Sequence, residues 1–357
     1  MSHSPHAPLR VICSSAPIRI CDCGGWTDTW FAGHGAVCTL AVTPRVEVEI
    51  AVYPRAAHHH QVTISAENYG ERFALAPGEP GPPAHRLLAG AIAELPPPAE
   101  VAIEVVIRSA APAGCSTGTS AAVCVALLGA LDRLTPGRLS AHEVAYAAHR
   151  VETKRLGLQS GIQDQLSAAY GGISLIEMHA YPHASVSPLP LPDATLWELE
   201  RRLLLVFLGR SHSSSAVHEQ VIAELEAEGS AAPRLERLRR TAFAARDALF
   251  AGDLAAFGAT MAECTAAQAA LHPGLVSRQA WRAIETARAH GALGWKVNGA
   301  GGEGGSLSIL CDATPGASRA VAAALQAADP QLRLIPIALS RDGLRVWEAP
   351  DGTVPAE

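Results

Sequence analysis

"PAGCSTGTSAAVCVALLGAL", residues 112–131, decides the fold of this chain. It opens rich in glycine, serine and threonine and turns apolar at helical spacing, which predicts a loop running into a buried helix. The free amides and positive dipole end of a helix N-terminus attract an anion. Gly114 and Gly118 let such an anion approach the backbone, and Ser116, Thr117, Thr119 and Ser120 add hydroxyls, one of them suited to magnesium. No Gly-Lys-Ser/Thr closes the loop, so it is not a Walker A loop. A glycine-rich cap on a buried helix is the simpler alternative.

Working outward, "VAIEVVIRS" (101–109) reads as a strand feeding this loop, and "HRVETKRLGLQSGIQDQLSAAYGG" (149–172) comes after the helix. Glu152 falls on a helix expected over 140–156, and Asp164 opens another over 162–170. An aspartate there can serve only as a cap. Next to a phosphate loop it is a candidate to orient or deprotonate an acceptor hydroxyl, with Glu152 available to hold Mg2+. "NGAGGEGGS" (298–306) packs five glycines into eight residues from Gly299. Such a run costs chain entropy; a solvent turn, or close backbone approach to a nucleotide or to the opposite domain, would explain it. Near the N-terminus, "APIRICDCGGWTDT" (16–29) gathers Cys21, Cys23, Arg19, two aspartates and a glycine pair. No further Cys or His pair with metal-site spacing accompanies the two cysteines, so they read as packing residues.

The bulk properties bound these readings. At 357 residues two hydrophobic cores are expected, and 48% apolar with 17% charged residues excludes disorder. A net charge of −6, without a basic run interleaved with aromatics, excludes a nucleic-acid footprint. Seven of the eight cysteines follow or sit in apolar runs, no signal peptide precedes them, and no apolar run is long enough to span a membrane. A reduced, cytoplasmic protein is expected. "HHH" (58–60) reads as a solvated loop rather than a metal tract.

Strand, turn and strand are expected over 9–20, with a strand over 46–54 and a helix over 83–95. Three prolines in "SPLPLPD" (187–193) mark the boundary between domains 1–192 and 193–357. The second half reads as a strand (202–209) and helices near 217–227, 232–250, 253–269, 274–290 and 317–327. Strands over 332–340 and 344–349 finish that domain. Both halves are α+β.

The four segments, in this order and spacing, resemble a kinase of the GHMP superfamily (galactokinase, homoserine kinase, mevalonate kinase, phosphomevalonate kinase) from about residue 11 onward. The resemblance implies an N-terminal ribosomal-protein-S5-domain-2-like domain and a C-terminal ferredoxin-like domain, with ATP and a small-molecule acceptor in the cleft between them. It maps the phosphate loop to Pro112–Ala122, including Pro112, Gly114, Cys115, Ser116, Thr117 and Gly118. Thr119 or Ser120 becomes the magnesium hydroxyl, Glu152 the magnesium carboxylate, Asp164 the acceptor-side aspartate and Arg19 its basic partner. Gly301 and Gly302 belong to the third-motif run, Gly299–Gly305. Ser116 and Thr117 depart from the usual Gly-Leu. Glu303 interrupts the third motif and is expected to point away from the phosphates.

Galactokinases carry Gly-Glu-His-Thr-Asp in the first motif, whereas this chain has Gly24-Gly25-Trp26-Thr27-Asp28. "GGWTDT" resembles the fucokinase and heptose kinase branch, which implies phosphorylation of a sugar, often at the anomeric hydroxyl. Asp28 would accept from sugar hydroxyls, beside Gly25 and Thr27. Trp26 would pack on an apolar sugar face or serve as a core or lid residue. Lys154 is expected at the surface; Lys296 reaches phosphate or is solvated. Ser211 and Ser213 touch substrate or cap a helix. The alternatives are a kinase of this fold acting on another small alcohol or a phosphosugar, and a non-catalytic sugar sensor. A monomer or homodimer is expected.

Overall fold

The computed structural model describes residues 7–76, 78–79, 81–135, 138–210 and 216–349. In chain order its strands are β1 (Arg10–Cys23), β2 (Gly35–Pro54), β3 (Val62–Ala66), β4 (Glu71–Leu75), β5 (Val101–Ser109), β6 (Ile173–Ala180), β7 (His183–Pro188), β8 (Leu203–Phe207), β9 (Ala292–Val297), β10 (Ser306–Cys311), β11 (Arg333–Ile335) and β12 (Arg345–Glu348). The helices are α1 (Arg86–Glu94), α2 (Thr119–Asp132), α3 (Ala141–Arg150), α4 (Gln163–Tyr170), α5 (Asp193–Arg202), α6 (Ala216–Glu228), α7 (Pro233–Phe250), α8 (Leu254–Leu271), α9 (Arg278–Ala289) and α10 (Ala317–Ala328). None of them is long and apolar enough to cross a membrane.

The larger sheet runs β12-β1-β2-β5-β3-β4, with β6 pairing β2 and β7 pairing β6. Every pair is antiparallel except β3 with β5. β2 organises it: its first part pairs β6 and the end of β1, and its alternating second part pairs β5 and the start of β1. The smaller sheet, β11-β8-β10-β9, is antiparallel throughout. This is the two-domain α+β architecture expected from the sequence.

α2 is apolar on all sides and is buried accordingly, from Ala121 to Asp132 with one residue intermediate. It sits in a large core that continues past residue 193 into Leu235, Phe257 and Met261 of α7 and α8. A smaller core joins the second sheet to α9 and α10 through Ile284, Leu307, Ile309, Val321 and Leu325. The functional segments therefore meet where α7, α8 and the second sheet close on the end of β1.

Three expectations need correction. Residues 9–20 are not two strands: β1 is continuous and absorbs the irregularity as a register shift at Pro17/Ile18. The helix from 140 stops at Arg150, and Val151–Arg155 form a π turn that carries Glu152. The strand near 344–349 does not finish the second sheet; as β12 it pairs with β1 from Ile12 to Ser15.

Candidate functional site

β1 delivers the first group. Its Arg19 N–H donates to Thr117 O at 2.9 Å, which ties the strand to the 112–120 loop. The Arg19 guanidinium then donates from Nε and Nη2 to Asp164 Oδ1 and Oδ2 at 2.8 and 3.2 Å, and from Nη1 to Ser116 O. Burial opposes this charge, but Asp164, Asp22 and Asp28 outweigh it and hold the guanidinium above its ordinary value. Asp164 lies in the first turn of α4, and both partners press on Gly118. A Cβ there would stand 3.3 Å from Arg19 Cγ and from Asp164 Cγ, and its φ is 69°. Loop, base and acid are thus packed as one unit.

The 112–120 loop divides its residues. Gly114, Thr119 and Ser120 line a cleft of about 210 Å³ with Tyr69, His85 and Leu88, which has the apolar walls a nucleobase requires. Cys115 and Thr117 are buried, with Sγ and Oγ1 hydrogen-bonded at 2.8 Å, so their side chains build the loop. Pro112 starts its turn, accepting from Cys115 N–H at 3.3 Å. Ser116 holds a left-handed φ of 58° where a glycine would rest without strain, and its hydroxyl is buried without a partner among the described residues.

On the far side of Arg19 and Asp164 opens a cavity of about 750 Å³, walled by Trp26, Asp28, Glu152, Gln163, His218 and Gly299 among others. Asp28 Oδ2 accepts from Gln163 N–H at 3.0 Å. Gly161 permits this approach, since a Cβ there would lie 2.1 Å from the same oxygen. Burial, reinforced by the charge of Asp164, pushes the Asp28 carboxyl up to about 6 against the pull of the Gln163 amide. Glu152 is buried too, its Oε2 accepting from Ser160 Oγ at 2.6 Å and Gln165 Nε2 at 2.9 Å. Burial comes first in lifting its carboxyl to about 7, and Asp164 adds to it.

Trp26 has φ 76°, stacks on His218 with ring centroids 6.0 Å apart, and is 8% exposed. Thr27, by contrast, is a folding residue. Its hydroxyl donates to Gly24 O at 2.8 Å and accepts from Ala36 N–H at 3.1 Å, away from the cavity. Gly25 lies against Asp22, whose Oδ2 a Cβ would approach to 2.8 Å.

The third motif meets the first through groups that sequence reasoning missed. Asp22, fully buried, accepts from Gly299 N–H at 3.1–3.2 Å and ion-pairs with Lys296 at 3.6 Å. Lys296 also donates to Gln268 Oε1 at 2.9 Å and is 1% exposed. It is neither solvated nor free to reach a phosphate, which corrects both expectations. A lysine three residues before a glycine run carried no sign of an acid 274 positions upstream. Gly301 O accepts from His218 Nε2 in one tautomer at 3.1 Å, and Gly302 N–H donates to Leu275 O at 2.8 Å. These two glycines anchor the loop, while Gly299 and Ala300 face the cavity. Lys154 is exposed, as expected, and Glu303 is exposed as well. Ser211 and Ser213 lie outside the described residues.

A magnesium ion takes hard oxygen donors and keeps several waters. Glu152 offers a buried carboxylate with neutral hydrogen-bond partners in the cavity of about 750 Å³, and Thr119 and Ser120 offer hydroxyls in the cleft of about 210 Å³. The donor chemistry fits. No cluster of three or more acidic, histidine or cysteine ligands occurs among the described residues, so the rest of such a shell would be water and phosphate. The histidines at 58–60 belong to no such cluster.

Comparison with known proteins bears on the same segments. Residues 86–172 match the family model of the GHMP kinases N terminal domain, and residues 245–331 that of the GHMP kinases C terminal domain. The mevalonate kinase of Pyrococcus horikoshii is 31% identical over 70% of this chain and 70% of its own. The D-glycero-alpha-D-manno-heptose 7-phosphate kinase of Campylobacter jejuni is 25% identical over 57% of this chain and 59% of its own. Lactococcus lactis galactokinase, solved with galactose, superposes with a TM-score of 0.72 at 18% identity, covering 95% of each chain.

Proposed function

Since the chain belongs to the GHMP kinases, we propose that it transfers the γ-phosphoryl group of ATP to a hydroxyl of a sugar. The observation that carries this reading is the Arg19–Asp164 pair packed against Gly118, between the nucleotide-side cleft and the 750 Å³ cavity. A non-catalytic sensor would have no need of such a pair.

Phosphoryl transfer is mostly positioning and charge stabilisation. Amides and hydroxyls of the 112–120 loop would hold the phosphates. Asp164 would receive a hydrogen bond from the acceptor hydroxyl and orient it, taking its proton as the bond to phosphorus forms. Arg19 holds the Asp164 carboxylate in place through its two hydrogen bonds and offsets charge growing on the transferred group. Magnesium, held by Glu152 and by Thr119 or Ser120, would neutralise phosphate charge when bound. Asp28 and Trp26 would seat the sugar.

The first motif, Gly24-Gly25-Trp26-Thr27-Asp28, favours a fucose- or heptose-like sugar phosphorylated at its anomeric hydroxyl. The likeness to a mevalonate kinase favours a second reading, a kinase of another small alcohol. Eight buried, unpaired thiols support a reducing, cytoplasmic setting. The test is ATP consumption against L-fucose, D-glycero-D-manno-heptose and its 7-phosphate, galactose, arabinose, uronic acids and mevalonate, with NMR of the product to locate the phosphate. Asp164→Asn should abolish turnover while ATP binding persists; retained turnover removes Asp164 from its role.

A further inference from the structure

Four carboxylates line the acceptor-side cavity: Asp28, Glu152, Asp164 and Glu219. Against them stands one guanidinium among its described walls, Arg19, and this already closes a two-bonded pair with Asp164. Burial holds the His218 imidazole below its ordinary value, so it is neutral near pH 7. With Glu152 assigned to magnesium, Asp28 and Glu219 face the acceptor, and the described walls bring no cation besides Arg19, whose hydrogen bonds go to Asp164 and Ser116 O.

Two neutral groups point the same way. Trp26 and Gln163, each 8% exposed, also line this cavity. Trp26 Nε1 and Gln163 Oε1 have no partner among the described residues. A buried donor and a buried acceptor left open cost free energy, and something from outside the chain that can pair with them recovers it. A sugar hydroxyl both donates and accepts, so it suits both. A phosphate dianion or a carboxylate only accepts, and it meets Asp28 and Glu219 with like charge.

On the reading that this cavity holds the phosphoryl acceptor, we infer that the acceptor bears no anionic group. It is a neutral polyol, a free sugar rather than a sugar phosphate, sugar acid or other carboxylate, and Trp26 and Gln163 read its hydroxyls. The acceptors named for the two curated relatives, mevalonate and a heptose 7-phosphate, are both anions. The inference therefore predicts an acceptor charge different from theirs.

Matched acceptors test the inference: galactose against galacturonic acid and galactose 6-phosphate, and D-glycero-D-manno-heptose against its 7-phosphate, with L-fucose as a further neutral member. Two readouts are taken on the full chain: ADP release with Mg-ATP, and calorimetric binding with a non-hydrolysable ATP analogue. The best neutral sugar should exceed its anionic counterpart at least about 30-fold in both kcat/KM and affinity, as like charges a few ångströms apart in a partly desolvated site require. An anionic member that equals or surpasses its neutral counterpart overturns the inference, and so does failure of every neutral sugar to bind. Neutral sugars that bind in this order but are never phosphorylated would uphold the inference and overturn the kinase reading. Transfer confined to anionic acceptors would do the reverse. Gln163→Met should raise KM for the preferred sugar about tenfold, with kcat and nucleotide affinity within twofold of the parent. An unchanged KM removes Gln163 from the assignment.

Discussion

Ser116 holds a backbone conformation that costs a non-glycine residue about 1–2 kcal/mol, and its buried hydroxyl lacks a partner among the described residues. Ser116→Gly relieves both, against the greater freedom of glycine in the unfolded chain. A net gain of about 1 kcal/mol is expected, read as a higher urea midpoint at unchanged slope. Asp28 gives a pH signature. Burial raises its carboxyl to about 6, so the form that accepts two sugar hydroxyls is lost as pH falls through about 6. The KM for sugar should climb below pH 6 and level off above pH 7, measured at saturating Mg-ATP, while Asp28→Asn should flatten the profile. Arg19 and Asp164 were legible in the sequence because their motif signatures are short and local. Asp22–Lys296 was not, since the two halves of a buried ion pair left no mark on one another in the linear chain. Thr27 misled for the opposite reason: a motif position looked chemical, yet its hydroxyl closes a turn.

At the scale of elements, α3 matters because its C-terminal end aims a carboxylate. Ser140 caps the helix with a complete capping box, its hydroxyl accepting from Glu143 N–H while Glu143 Oε2 accepts from Ser140 N–H at 2.7 Å. The π turn after Arg150 then sets Glu152 into the cavity wall. Ser140→Ala should cost about 1 kcal/mol of stability in chemical denaturation and leave the acceptor ranking intact. Periodicity located α3 and α4, which bury one face each, although α3 ends at Arg150 and not at 156; α2, apolar on all sides, was located by its long apolar run. It mistook β1 for two strands, since "SSAP" has the composition of a turn. Pro17 is tolerated there because it sits at a register shift, and β12 pairs only residues 12–15. The π turn escaped notice because "VETKR" (151–155) holds one apolar residue, too few to reveal a change of period.

Across the whole molecule, the Asp22–Lys296 pair fastens the end of the first sheet to the glycine loop of the second. Removing one partner strands a buried charge, at about 3–5 kcal/mol, whereas removing both need not. Asp22→Leu and Lys296→Met should each lower stability by that order, and the double variant should lose clearly less than the sum, measured as a urea double-mutant cycle. Because the large core runs through α2, α7 and α8 alike, the parent chain should unfold in one transition by fluorescence and circular dichroism. The pairing of β12 with β1 bears on how the protein is born. A ribosome releases β1 long before β12, and at about 5–20 residues per second the wait between them is on the order of tens of seconds. Throughout it the Ile12–Ser15 edge stays open to strands from other nascent chains. Synthesis speed and chaperone cover should therefore govern the yield of active protein more than its equilibrium stability does.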